Sequence, residues 1–197
     1  MYSFTQLFAL DKILHITLII GFSYTLTACQ TIPTSTNTKL CNTDLPNKWQ
    51  VNGRIKVVYD KKYAVNFSWL QTNDIFDINI LGAFGSLITN INGTHQQARL
   101  TANNQIIITN KIAKSLHEIT GLHLPITHIK NWMLAQAGKN TFTAQYNESG
   151  CFSTLKQNNY TIEYLHYINH DTYTLPRTII AYNNQVQLHI KLNNWQF

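Results

Sequence analysis

Charge is what this chain of 197 residues has least of. Asp, Glu, Lys and Arg together make up 12% of it, about half of the roughly 25% usual for globular proteins. Acidic residues number nine, and this scarcity argues against a glycosidase-like enzyme, which needs a placed pair of carboxylates. Cysteine is confined to Cys29, Cys41 and Cys151, with no Cys-x-x-Cys and no zinc spacing. There is no glycine-rich phosphate loop, no Gly-x-Ser-x-Gly elbow and no internal repeat. His166 and His170 have the spacing of two helical metal ligands, but their stretch reads as a strand end and a turn. Cys151 has no recognisable catalytic context. The expectation is therefore a protein without catalytic residues, metal or cofactor.

What the chain does have is apolar material and a thin spread of positive charge. Apolar residues make up 44% and the formal net charge is +6. The cations, among them Lys48, Arg54, Lys56, Lys61, Lys62, Lys111 and Lys156, form no tight basic run, so no nucleic-acid partner is expected. Diffuse positive charge suits an anionic membrane surface or an acidic partner, and equally a generally basic solvated surface.

The first residues carry a processing signal. Lys12 is followed by an apolar stretch from Ile13 to Tyr24, interrupted by His15, Thr17 and Ser23. It is too short and too mixed for a comfortable transmembrane helix, which needs about 20 apolar residues, and it suits a signal-peptide core. Leu26-Thr27-Ala28-Cys29 follows. This resembles the bacterial lipobox, which implies removal of residues 1–28 and attachment of diacylglycerol to Cys29. Gln30 rather than Asp after the cysteine implies residence in the outer membrane, facing the periplasm. Removing residues 1–28 takes away Asp11 and Lys12 together and leaves the net charge unchanged. Residues 29–47 are rich in Thr, Asn, Ser and Pro, bury little, and read as a flexible tether. An oxidising compartment would permit Cys41 to pair with Cys151. Sequence separation says nothing about whether their Cα atoms meet, and the reading favours two free thiols.

Residues 48–197 read as one folded domain. Trp49, Val51, Gly53, Ile55, Val57 and Tyr59 share one face of a strand, and Tyr63, Val65, Phe67 and Trp69 share one face of the next. Further strands are expected at 75–81, 86–91, 97–101 and 105–109. Two short helices follow, one over Lys111–Ile119 stopped by Gly121, the other marked by Ile126, Ile129, Trp132 and Met133. Strands resume at 142–146, 151–157, 160–167, 178–182 and 186–195. This order predicts an α+β fold: a strongly curved antiparallel sheet, an incomplete β-barrel, with short helices covering an apolar cavity. Candidate cavity residues are Trp49, Val51, Ile55, Phe67, Trp69, Leu116, Trp132 and Tyr164. The same residues would serve equally in a dry core, because periodicity does not separate the two.

The least ordinary segment is Leu81-Gly82-Ala83-Phe84-Gly85-Ser86-Leu87. Its glycines punctuate two strands and leave Ala83 and Phe84 at a turn, where polar residues are usual. Phe84 either projects toward lipid or a partner, or folds back onto the core.

Taken in order along the chain, these residues resemble the LolB family of outer-membrane lipoprotein receptors. The resemblance rests on Trp49-x-Val51-x-Gly53-Arg54-Ile55, Phe67-x-Trp69-x-Gln71, the apolar loop ending in Gly85, Thr120-Gly121-Leu122-x-Leu124-Pro125, Trp132, Gln157, Tyr164 and Tyr167, Leu175-Pro176 and Trp195. It implies a monomer that takes lipoproteins from the soluble periplasmic carrier LolA, holds their acyl chains in an apolar cavity and inserts them into outer-membrane lipid. It also implies an insertion loop at Ala83, Phe84 and Gly85, where Phe84 stands for the family's usual Leu and Ala83 for its usual Pro. The alternative reading is a lipid-anchored binding module for another apolar ligand, a fatty acid or phospholipid.

Overall fold

The computed structural model describes Cys41 and residues 45–197. The leader, Cys29 and most of the tether lie outside the described residues.

Alternation with period two makes the strands. In β1 (Lys48–Val58) the odd positions from Trp49 to Val57 are buried and the even ones face outward. β2 (Lys62–Thr72) buries Val65, Phe67, Trp69 and Gln71 in the same way, although Tyr63, expected on that face, remains partly exposed. β3 (Ile75–Leu81), β4 (Leu87–Gly93), β5 (Ala98–Ala102) and β6 (Gln105–Thr109) continue the meander. After the helices come β7 (Thr143–Tyr146), β8 (Phe152–Gln157), β9 (Tyr160–His170), β10 (Tyr173–Tyr182) and β11 (Gln187–Gln196). Asparagine pairs set two of the hairpins: Asn103-Asn104 and Asn158-Asn159 all have positive φ, as the tight turn between twisted strands requires.

The sheet has 11 strands in the order β6-β5-β4-β3-β2-β1-β11-β10-β9-β8-β7. All neighbours are antiparallel, and β6 and β7 are left as free edges, so the barrel stays open. The first and last described strands meet at its centre, where β1 pairs with β11 from Gln50↔Gln196 to Val58↔Gln187. Gly53 is required in that seam. A Cβ there would lie 2.6 Å from the Lys191 carbonyl oxygen and from the Phe67 ring. β10 begins earlier than its apolar run suggests and carries Pro176 through the sheet. It does so beside register shifts at Thr178, where the ladder with β9 is already interrupted.

Two helices close the concave side. α1 (Ile112–Thr120) buries Ile112, Ser115 and Leu116 and ends on Gly121 at φ 72°, the left-handed cap that glycine allows cheaply. α2 (Ile126–Met133) buries Ile126, Ile129, Trp132 and Met133. α1 touches β5 and β6, α2 touches β10, and the helices touch each other. Strands six places apart in a flat sheet would be about 29 Å apart, whereas packed helices are about 8–10 Å apart. The sheet must therefore curl round the helices. Gln157 fixes the chain leaving α2. Its amide nitrogen donates to the carbonyls of Gly138 (3.2 Å) and Asn140 (2.7 Å), and its oxygen accepts from the Gly138 N–H (3.0 Å).

The tether joins this body earlier than expected. Leu45 packs against the core, and the Asn47 carbonyl accepts the Asn73 N–H at 2.7 Å. Cys41 and Cys151 form a disulfide with Cα atoms 4.9 Å apart, which corrects the expectation of free thiols. The two lie 110 residues apart in sequence. The sheet's curl, invisible in that count, brings the β7–β8 turn beside the incoming chain.

Candidate functional site

Every candidate cavity residue is buried in one continuous apolar cluster: Trp49, Val51, Ile55, Phe67, Trp69, Leu116, Trp132 and Tyr164. They do not enclose an open chamber. Ile55, Phe67 and Trp69 border the concave interior together with Ile78, Ile80 and Ile129, and the space left among them is about 10 Å³. That holds about one water molecule. Between the two readings left open by the sequence, the interior described here is nearly filled: Ile126 and Ile129 of α2 line this space with the inward side chains of β1, β2 and β3. Ile78, Ile80, Ile126 and Ile129 are not among the candidate cavity residues of the sequence, although alternation in β3 and helical spacing in α2 mark them as inward.

Polar groups in this interior are few and mostly satisfied. Trp69 Nε1 donates to Gln71 Oε1 at 3.0 Å, and Gln71 Nε2 donates to the Asn73 carbonyl at 2.6 Å. Tyr167 donates to the Phe152 carbonyl at 2.7 Å. The Tyr164 hydroxyl and Trp195 Nε1 are buried without a hydrogen-bond partner. Burial, and behind it the neighbouring Tyr167, pushes the Tyr164 hydroxyl well above its ordinary pKa, so it stays a neutral donor.

The apolar tip resolves the other open question. The Ser86 carbonyl accepts the Gly82 N–H at 2.8 Å, the Gly82 carbonyl accepts the Gly85 N–H at 3.1 Å, and Gly85 sits at φ 79°. These bonds close a tight hairpin between β3 and β4. Its tip does not fold back: Phe84 is 101% exposed, with Ala83 and Gly85 exposed beside it, and Leu87 next to them is 58% exposed. Direction along the strands gives the molecule two ends. The β1–β2, β3–β4, β5–β6, β8–β9 and β10–β11 turns lie at the Phe84 end. The turns containing Asp74, Cys151 and Asp171, with the start of β1, lie at the other.

Among the described residues no group of three or more His, Cys, Asp or Glu could hold a metal ion, and His166 and His170 both lie on β9. The histidines bear on stability instead. Burial lowers the pKa of His128 below its ordinary 6.5, and burial followed by the nearby Lys130 lowers that of His95. A group with a lowered folded-state value stabilises fully above its unfolded value and loses that contribution as pH falls through it. The urea midpoint is therefore expected to drop as pH is taken below 6.5, and His128→Gln should flatten the drop. An unchanged slope in that variant would assign the acid sensitivity elsewhere.

The assembled features define a class: an open antiparallel sheet curled over two short helices, with an apolar interior and an apolar hairpin tip. Solved structures share this fold at low identity. A LolA superfamily protein from Nitrosomonas europaea superposes with a TM-score of 0.52 at 11% identity, covering 81% of this chain and 89% of its own. A DUF1329 family protein from Desulfovibrio piger gives 0.53 at 6% identity, covering 79% and 87%. The sequence goes further. Residues 47–195 match the family "Outer membrane lipoprotein LolB". The chain is 32% identical over 183 residues to the outer-membrane lipoprotein LolB of Francisella tularensis subsp. tularensis, covering 87% of this chain and 88% of that protein. It is 21% identical over 153 residues to that of Shewanella denitrificans, covering 75% of each. This chain belongs to the LolB family of outer-membrane lipoproteins. Among the described residues no helix is long and apolar enough to cross a membrane.

Proposed function

We propose that this protein receives lipoproteins from a LolA-type periplasmic carrier, holds their acyl chains against its concave face and releases them into the outer membrane. On this reading residues 1–28 are removed, lipid on Cys29 anchors the chain facing the periplasm, residues 29–47 link it to the body with their last part held by the Cys41–Cys151 bond and the packing of Leu45, and the body works as a monomer. The observation that carries the reading is the pairing of a largely apolar interior with a fully exposed Phe84 on a hairpin closed by backbone hydrogen bonds. No bond is made or broken in the cargo. The acyl chains move because each buried CH₂ contributes about 0.8 kcal/mol.

A closed interior must open to hold such chains, and the cover is built to be displaced. α1 has nine residues and α2 has eight, and neither has a side-chain hydrogen bond at its N-cap. Helices shorter than about 12–15 residues are marginal alone and depend on packing. Apart from hydrogen bonds of Ser115 to Thr109 (3.0 Å), Asn103 to the Ile119 carbonyl (3.4 Å) and Asn158 with His128 (3.4 Å), their contacts with the sheet are apolar, so acyl chains can replace Ile126 and Ile129 against the same surface.

The test is transfer. A loaded carrier mixed with the mature protein should give up its acylated cargo, which is then recovered bound to this chain. A folded protein that captures none would refute the reading.

A further inference from the structure

The structure gathers positive charge that the sequence disperses. On the outer face of β1, Arg54 stands opposite Lys191 of β11, and Lys56 stands opposite His189. Like charges directly opposite one another destabilise a sheet. Nothing offsets them: Asn66 and Ala64 of β2 flank Arg54 and Lys56, and Thr178 of β10 flanks Lys191. The nearest carboxylate across the sheet, Glu163 of β9, accepts a hydrogen bond from Tyr182 at 3.0 Å. The ion pairs among the described residues, Lys114–Glu118 and His170–Asp171, involve none of these cations. The stripe runs down β1 into exposed Lys61 and Lys62 at the β1–β2 turn, where Asp60 is the single acid.

That turn is the immediate neighbour of the Phe84 hairpin. β2 pairs with β3 only as far as Asn66↔Leu81, so Lys62 to Val65 extend past the last ladder pair on the side where Gly82 to Ser86 form the tip. Exposed Phe84 and Leu87 and half-exposed Tyr63 therefore share one end of the sheet with Lys61 and Lys62. The opposite end is mixed in charge. The turns between strands there carry Asp74, Glu148 and Asp171 and no Lys or Arg. Positive charge thus predominates where the apolar side chains protrude, whereas at the other end Asp74, Glu148 and Asp171 are accompanied by Lys48, Arg99 and Lys130.

We propose that Lys61, Lys62 and the Arg54–Lys56–Lys191 stripe form a docking surface for the anionic headgroups of a phospholipid bilayer, which orients the protein with Phe84 toward the lipid. This rests on the reading of Phe84 as the membrane-facing tip and adds the class of lipid it meets. Apolar tip and basic flank are the two halves of an interfacial site: the ring enters the acyl boundary while the ammonium groups sit at the phosphates. A purely acidic protein partner would leave the adjacent apolar side chains unexplained, and a neutral bilayer would leave the unneutralised stripe unexplained.

Flotation with vesicles tests it, using the mature chain with Cys29→Ser so that no lipid of its own contributes. Binding is expected to be at least tenfold stronger to an equal mixture of phosphatidylglycerol and phosphatidylcholine than to phosphatidylcholine alone. The difference should shrink as salt shortens the screening length. The pair Lys61→Gln with Lys62→Gln should lose about tenfold or more of that binding, since each surface cation contributes roughly fivefold. The pair Lys48→Gln with Arg99→Gln, the same change in net charge placed toward the other end, should lose little. Equal binding to both vesicles, or equal loss in both pairs, would overturn the proposal. So would a Lys61/Lys62 defect confined to capture of cargo from the carrier, which would assign the stripe to a protein. Capture from the carrier in solution, measured on the same samples, reads the transfer function separately, so failure of one is not mistaken for failure of the other.

Discussion

Phe84→Glu is expected to leave cargo capture at its normal level and to reduce delivery into liposomes by one to two orders of magnitude. The side chain touches nothing in the fold: it is 101% exposed on a hairpin closed by backbone hydrogen bonds. The folded state should therefore not register its loss. On the proposed mechanism the variant removes the burial of one aromatic ring in lipid, about 1.5–3 kcal/mol, and adds a carboxylate at the tip proposed to enter the membrane. At about 1.4 kcal/mol per tenfold, the ring alone accounts for the expected range. Capture is read as cargo bound in solution and delivery as cargo co-floating with vesicles. A variant that captures and delivers normally would remove Phe84 from the mechanism, whereas a variant that fails at capture would place it in contact with the carrier. Phe84→Leu should retain most of the delivery, because burial of an apolar side chain is the property required.

The second large effect concerns the disulfide. Replacing Cys41 and Cys151 together by serine is expected to lower stability by about 2–4 kcal/mol, seen as a fall in the urea midpoint with a steeper slope, since the uncrosslinked denatured chain exposes more surface. The bond closes a loop of 110 residues that contains β1 to β7 and both helices, so it restricts most of the unfolded chain. The single variant Cys41→Ser should lose nearly as much as the double. Its residual difference would report the cost of leaving a thiol at Cys151, which is 1% exposed in the core. Equal midpoints for oxidised wild type and the double variant would show that the crosslink constrains nothing the fold does not already constrain.

Most of the sheet was legible because each strand states its own face. Trp49, Val51, Ile55, Phe67 and Trp69 were placed inside by alternation alone, and Asn103-Asn104 and Asn158-Asn159 marked their turns. Gly121 marked the end of α1 for the same local reason. Features that depend on several strands at once were not legible. The Cys41–Cys151 bond needs the curl of the sheet, and the facing of Arg54 with Lys191 needs the β1–β11 register, which nothing near either residue encodes. Pro176 hid the first half of β10, since a proline argues against a central strand unless a bulge absorbs it. At the site, the sequence located the Phe84 tip but left its direction open. The hydrogen bonds of Gly82 and Gly85 decide it. It also left open whether the interior was hollow or filled, because Ile126 and Ile129 show the same helical spacing in either case.

The crosslink also fixes a length. With lipid on Cys29, 12 residues lead from the anchor to Cys41, and fully extended they span at most about 40–43 Å. β1, with 11 residues, is about 36 Å long, and the pinned turn lies at the end of the sheet away from Phe84. An upright body therefore brings Phe84 to its own membrane only on a nearly taut leash, and a body reclining on the outer face of β1 does so with slack to spare. Cutting the bond moves the fixed point to Leu45, which packs against the core, and lengthens the leash by about a third, to roughly 53–58 Å. The oxidation state of one cysteine pair thereby sets the radius of the volume the body sweeps, and with it how often the tip meets the surface from which it hangs.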